Sequence, residues 1–201
     1  MSITTYAELK ATIADWLLRD DLTAVIPSFI SLAEAQISRD LDHWRQEKRV
    51  TTTLDEQYEN LPTDLRRMVQ MQIVGGGQLN MISIGDMQAK KQAYPAAGKP
   101  RYYYINSGQI EFHPAPDGDY EIEMQYIARV PALSDAAPGN WVLDYAPDLY
   151  LYAALTHAAP YLQDDPRAQV WGSLYGSALQ KLNNESMVAK SSGPLRMGVP
   201  R

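Results

Sequence analysis

"KPRYYYINSGQIEFHPAPDGDYEIEMQYIARVP", residues Lys99–Pro131, decides how the chain is read. It predicts three strands in a row. Ser107-Gly108 and Asp117-Gly118 are turn dipeptides. Between them, Ile110 and Phe112 alternate with Gln109, Glu111 and His113. After them, Tyr120, Ile122, Met124 and Tyr126 face one way, and Glu121, Glu123 and Gln125 the other. A period of two with one apolar face is the mark of an antiparallel sheet that is wet on one side. Tyr102, Tyr103 and Tyr104 stand in a row, so their rings point to both sides of a strand. At least one ring then lies outside the local core. Tyrosine buries area while keeping a polar end wet, so this run reads as a contact surface for another chain.

Upstream, "EKRVTTTLDEQYENLP" is β-branched and pauses at Asp55-Glu56-Gln57, which predicts a hairpin. Met68–Val74 and Leu79–Ile84 read as strands around a loose turn at Gly75-Gly76-Gly77, and "GDMQAKKQAY" as a short helix. Further out the period changes from two to about 3.6. A first helix is expected from about Tyr6 to Arg19, with Thr5 and Glu8 at capping-box spacing and a stripe of Tyr6, Leu9, Ile13, Trp16 and Leu17. A second runs from about Ala24 to Asp42, with Pro27 in its first turn. Downstream, a helix from about Tyr145 to Leu162 has Asp144 as its expected N-cap. It is apolar nearly all round, which predicts burial on most sides. In so short a chain Tyr150 and Leu151 are therefore candidates for a subunit interface. Asp165-Pro166 opens a fourth helix carrying Trp171, Leu174, Tyr175, Ala178 and Leu182. The last residues, "KSSGPLRMGVPR", have no helical period and read as a flexible tail. Leu195, Met197 and Val199 alternate there at period two. They suit an extended arm laid on a partner, with Arg196 and Arg201 to pair with its acids.

Composition narrows the chemistry. The chain has 201 residues, 45% of them apolar, with a formal charge of -6. It can bury a core, and its bulk field repels nucleic acid. It has no cysteine, which excludes disulfides, thiol catalysis and Cys-ligated metal. The N-terminus lacks the basic start and apolar core of a signal peptide, and no apolar run reaches the roughly 20 residues of a membrane span. His113 with Asp117 and Asp119 raises the question of a metal site, but Asp-Gly is itself a turn signal and three or four convergent ligands are needed. The triple glycine is followed by neither Lys-Ser/Thr nor a helix, so it is no phosphate loop. The pairs Asp164/Asp165 and Glu121/Glu123 read as a helix cap and a wet strand face rather than a glycosidase dyad. His43 and His157 have no acid-plus-nucleophile pattern, and His157 on an apolar helix reads as a satisfied core or interface histidine. Arg45, Lys48, Arg49, Arg66 and Arg67 read as solvated faces or intersubunit pairs rather than nucleic-acid contacts. No catalytic residue, metal or cofactor is expected.

The order is two helices, a β lobe and two helices. The expected fold is α+β: an antiparallel bundle of the N- and C-terminal helices, an inserted antiparallel β lobe and an extended C-terminal tail. The divisions are 1–44, 45–135, 136–190 and 191–201. The stretches "YAELKATIADWLLRDDLTAVIPSFISLAEAQISRDL", "YENLPTDLRRM", "KPRYYYINSGQIEFHPAPDGDYEIEMQYIARVPALS", "NWVLDYAPDLYLYAALTHAAPYLQDD" and "AQVWGSLYGSAL" together resemble the head-to-tail adaptor (head completion, or connector) proteins of tailed bacteriophages. The likeness rests on their number and order over most of the chain.

The resemblance implies a virion structural protein without turnover, assembled in the host cytoplasm. It implies a homo-oligomeric ring, usually a dodecamer, between the portal protein and the tail or nozzle. Such a ring extends the channel through which genomic DNA passes during packaging and ejection. The candidate partner-binding residues are then Tyr102, Tyr103, Tyr104, Tyr150, Leu151, Leu195, Arg196, Met197, Val199 and Arg201. Two alternatives belong to other classes. A tail-associated cell-wall hydrolase would need a cleft with shifted titratable groups. A small soluble binding module would need polar groups placed between its helices.

Overall fold

The computed structural model describes residues 3–19, 21–162 and 167–191. It is a mixed α+β protein that divides into two compact units, Met1–Trp44 with Val130–Arg201 and Arg45–Arg129.

The first unit is helical. Its elements are α1 (Tyr6–Leu17), α2 (Ile26–Asp40), α4 (Trp141–Tyr145), α5 (Pro147–Ala158) and α6 (Ala168–Ser191). Thr5 and Glu8 form the expected capping box on α1, the Thr5 hydroxyl accepting from the Glu8 N–H. Tyr6, Leu9, Ile13 and Leu17 are buried, but Trp16 turns off the stripe and meets Tyr152 edge-on at 6.0 Å. The helix stops at Leu18, which takes a left-handed conformation (φ 54°) and is 83% exposed. The long third helix predicted from the sequence is two helices. Asn140, not Asp144, provides the cap, accepting from the Val142 and Leu143 N–H groups, and Asp144 falls inside α4. The break at Ala146 precedes Pro147, which opens α5 as its first residue. Asp165-Pro166, the expected opening of the last helix, lies outside the described residues.

α5 packs against α1, α2, α4 and α6, and one core unites Leu9, Ile13, Ile30, Ile37, Leu149, Leu155, Trp171 and Leu182. That is why α5 is apolar around its circumference. A polar cluster runs from this core to its edge. Asn140 Nδ2 donates to the Tyr150 hydroxyl (2.7 Å) and to the Pro131 carbonyl (2.7 Å). The Tyr150 hydroxyl bonds the Glu34 carboxyl, which also accepts from the Leu133 N–H at 2.6 Å. Burial pushes Glu34 above the usual carboxylate range, against the pull of these two hydrogen bonds. Burial likewise carries Tyr150 far above an ordinary phenol.

The second unit holds β1 (Glu47–Leu54), β2 (Tyr58–Asn60), β3 (Leu65–Ile73), β4 (Gly77–Gln78), β5 (Asn80–Met81), α3 (Ile84–Ala93), β6 (Tyr102–Asn106), β7 (Gln109–His113) and β8 (Tyr120–Ala128). The strands form two four-stranded sheets, ordered β1-β8-β3-β4 and β2-β7-β6-β5. The stretch from Glu47 to Pro62 is no hairpin: β1 pairs with β8 and β2 with β7, and Asp55-Glu56-Gln57 carries the chain from one sheet to the other. Nor is Lys99–Pro131 a three-strand meander. β6 and β7 pair across Ser107-Gly108, but β8 crosses to the first sheet and lies between β1 and β3. The Asp117-Gly118 turn thus connects sheets, with Asp117 accepting from the Tyr120 hydroxyl at 2.5 Å. One pair, β5 with β6, is parallel, so the lobe is not wholly antiparallel. The strand expected up to Ile84 is short, and Ile84 already opens α3 behind the Ser83 cap.

Alternation explains the core. Leu54, Met71, Ile73, Ile122, Met124 and Tyr126 from one sheet and Tyr103, Ile110 and Phe112 from the other form a single buried cluster. The glycine turn is less loose than its sequence implies. Gly77 has φ 97°, and a Cβ on Gly76 would lie 2.6 Å from Lys99 Nζ and 2.7 Å from Ile73 Cγ2.

Candidate partner-docking face

The three tyrosines of β6 divide as the pleat requires. Tyr103 enters the core of the β unit, while Tyr102 and Tyr104 stand half-buried on the other face. Tyr103 is thereby removed from the candidate contact surface. That outer face is partly covered by α3 of the same chain. Lys90 Nζ sits 4.0 Å from the Tyr102 ring centroid, and Lys91 pairs with Glu111, the register partner of Tyr104. Glu111 also accepts from the Tyr58 hydroxyl at 3.1 Å. The Lys91 ammonium is held above its ordinary range, first by its bond to Glu111.

Where α3 ends, the chain folds back over the start of β6 and leaves a half-open pocket of about 470 Å³. Lys90, Tyr94, Lys99, Arg101, Tyr102 and His113 line it, together with small residues of the Ala96–Gly98 turn and Pro114. No acid is among the lining residues. His113 is 4% exposed and bonds the Lys90 backbone carbonyl, while its Nε2 has no partner among the described residues. Burial, then the nearby Lys91 charge, hold its imidazole below the usual histidine range. Asp117 and Asp119 do not join it, and no group of three or more potential metal ligands converges among the described residues.

The other candidates fall elsewhere. Tyr150 is fully buried and Leu151 is 5% exposed, both in the core of the helical unit. The apolar circumference that marked α5 as an interface is met within the chain, and neither side chain presents surface. Leu195, Arg196, Met197, Val199 and Arg201 lie outside the described residues. Lys48 pairs with Asp64 at 2.5 Å and Arg49 with Glu123 at 3.7 Å, so these cations bond within the chain. Asp64 also accepts from the Tyr126 hydroxyl (2.9 Å). Burial opposes ionisation of Asp64, yet the Lys48 and Tyr126 bonds hold it below the usual range. Burial, then the same bond, push Tyr126 up to about 12.

Two histidines of the helical unit sit differently from their sequence reading, one of them fully buried and the other half-buried. His43 is fully buried, with ring centroids of Trp141 at 5.2 Å, Trp44 at 5.6 Å and Tyr145 at 6.2 Å. His157 is not the satisfied histidine its helix suggested: its Nε2 has no hydrogen-bond partner among the described residues. Burial, and then Arg39, hold it below the usual range. The basic pocket was missed as well. Lys90, Lys99, Arg101 and His113 are spread over 24 positions and alternate with ordinary turn and strand residues.

A comparison with curated proteins gave no significant match. A family model described as SU10 adaptor protein matches residues 4–198, nearly the whole chain and both of its units, and the chain belongs to that family.

Proposed function

We propose that the chain is a bacteriophage virion component, a head-to-tail adaptor that forms a ring between portal and tail and extends the DNA channel. The observation that carries this reading is the family match across residues 4–198. In this reading the helical unit serves as the body of each subunit and the β unit, Arg45–Arg129, offers a face for neighbours. The number of copies in such a ring is twelve by the same resemblance. The protein is made in the host cytoplasm and ends in the virion, and it performs no catalysis. DNA passes without specific binding, since a wall lined with cations would hold it by counterion release.

Residues 191–201 complete the proposal as a docking arm toward the portal, with Leu195, Met197 and Val199 as its apolar face and Arg196 and Arg201 as its charges. Tyr102 and Tyr104 mark the second contact, on the β lobe.

Electron microscopy of particles containing the protein tests the reading. Ring density at the vertex where head meets tail, matching this fold, is expected. Placement of the protein in the head shell or the tail fibres would overturn it. Deleting the residues after Lys190 should leave melting unchanged and abolish incorporation into particles; normal incorporation would remove the arm. Purified protein should release no soluble fragments from cell-wall peptidoglycan, whereas such release would favour the hydrolase alternative.

A further inference from the structure

The pocket beside α3 runs against the charge of the molecule. The chain carries -6, yet Lys90, Lys99, Arg101 and His113 meet in one concavity without an acid. Lys90 is placed by the Tyr102 ring and by its backbone bond to His113. Lys99 and Arg101 are exposed and make no ion pair among the described residues. The hydroxyl-bearing rings of Tyr94 and Tyr102 complete the lining, and Tyr94 is 70% exposed. Nearby, Gly76 leaves room for Lys99 Nζ, since a Cβ there would stand 2.6 Å from it.

Such a lining selects an anion. Guanidinium and ammonium groups bond oxyanions with charge assistance, and arginine matches a carboxylate with two parallel bonds. His113 adds a group that an anion can charge. Its Nε2 lacks a partner, and the cations Lys90 and Lys91 disfavour its protonation while Glu111 favours it. A carboxylate brought among Lys90, Lys99 and Arg101 offsets that positive field, so binding draws a proton onto the imidazole. Size and surroundings choose the kind of anion. A pocket of about 470 Å³ admits one or two side chains. Single-stranded nucleic acid instead takes a groove that tracks successive phosphates, and the net charge of this chain repels a polyanion. A tyrosine rim is typical of protein contacts.

We propose that this pocket is a socket for the carboxylate side chains of an acidic protein segment, held by Arg101 and Lys99 and coupled to protonation of His113. It rests on the adaptor reading only for the source of that segment, a neighbouring virion protein. The chemistry of the pocket is testable on the isolated chain, so either can fail alone.

The experiment titrates the full chain with a synthetic peptide of alternating Asp and Glu. Calorimetry gives the affinity, and NMR follows the His113 ring. Asn/Gln peptide of equal length and a short single-stranded DNA are the comparisons. The acidic peptide should bind and the other two should not. Lys99→Glu with Arg101→Glu should weaken it by about tenfold or more. Both side chains are exposed, so the melting temperature of that variant should match the parent. The His113 pKa should rise on binding, and affinity should increase from about pH 8 to about pH 6, where the peptide stays ionised. Equal affinity for parent and variant, an unmoved His113 titration, or binding of the DNA in place of the peptide would each overturn the proposal.

Discussion

At the scale of single residues, Tyr150 has changed role. Its phenol is fully buried and joins Asn140 to Glu34. Tyr150→Phe keeps the ring and deletes the hydroxyl, leaving the Asn140 amide and the Glu34 carboxyl each short of a partner. The expected cost is about 1–3 kcal/mol, read by urea unfolding. Tyr150→Asp should not fold, because it puts a second acid beside Glu34 inside an apolar core. A folded Tyr150→Asp protein would mean this core is wrongly described. Glu34 gives a pH test. Its folded-state pKa is raised by burial, so its contribution to stability is full below the unfolded value and is lost as pH rises through the folded one. The melting temperature of the parent should therefore gain on that of Glu34→Gln as pH drops from about 7 to about 4. Asp64 has the opposite sign. Its pKa is depressed, so its contribution is present above the unfolded value and fades as pH falls through the folded one. Tyr126→Phe should cost about 1 kcal/mol near neutrality and less in acid.

At the scale of elements, the helices were legible because their signals are local. The Thr5/Glu8 box and the Tyr6–Leu17 stripe needed no tertiary information. Strand pairing is not local. Val50, Met71 and Met124 read alike as alternating strand residues, and nothing in their own segments says that Met124 lies between the other two. The basic pocket was hidden for the same reason, because it forms only when α3 and the Ala96–Gly98 turn fold over β6. Two variants test the elements as they stand. Leu18 ends α1 with φ 54° while 83% exposed, a conformation that costs an L-residue energy and glycine little. Leu18→Gly should stabilise the chain by about 0.5–1 kcal/mol; a lower melting temperature would mean that the Leu18 side chain contributes packing. On β8, Glu121 is exposed, whereas Glu123 is half-buried, accepts from Gln72 at 2.8 Å and pairs with Arg49. Glu121→Lys should barely move the melting temperature, and Glu123→Lys should lower it clearly, since it leaves Arg49 facing a like charge. Equal effects would contradict this placement.

At the scale of the whole molecule, the two units differ in how the chain supplies them. The β unit is one continuous segment, Arg45–Arg129, with its own core from Leu54 to Ala128. Expressed alone, it should melt cooperatively and keep dispersed amide signals; a spectrum without dispersion would show that it needs the helical unit. Acidity matters at this scale too. In the proposed ring, a charge of -6 per copy would favour a lumen along which DNA slides freely. Particle structures should show acids outnumbering Lys and Arg along the channel, and a predominantly basic channel would sink this expectation.

The central position of β8 also sets a timetable for synthesis. β1 leaves the ribosome early, but its partner is made more than sixty residues later, and β3 waits for the same strand. At roughly 5–20 residues per second, several seconds pass in which two long strands have open backbone edges and no place to close them. The helical unit waits longer, since α1 and α2 have no α5 to cover their stripes until residue 158 emerges. Nascent chains of this design are exposed to wrong pairing with their own neighbours on a polysome. Slower synthesis should therefore lower the soluble yield unless a chaperone shields β1 and β3 until β8 arrives.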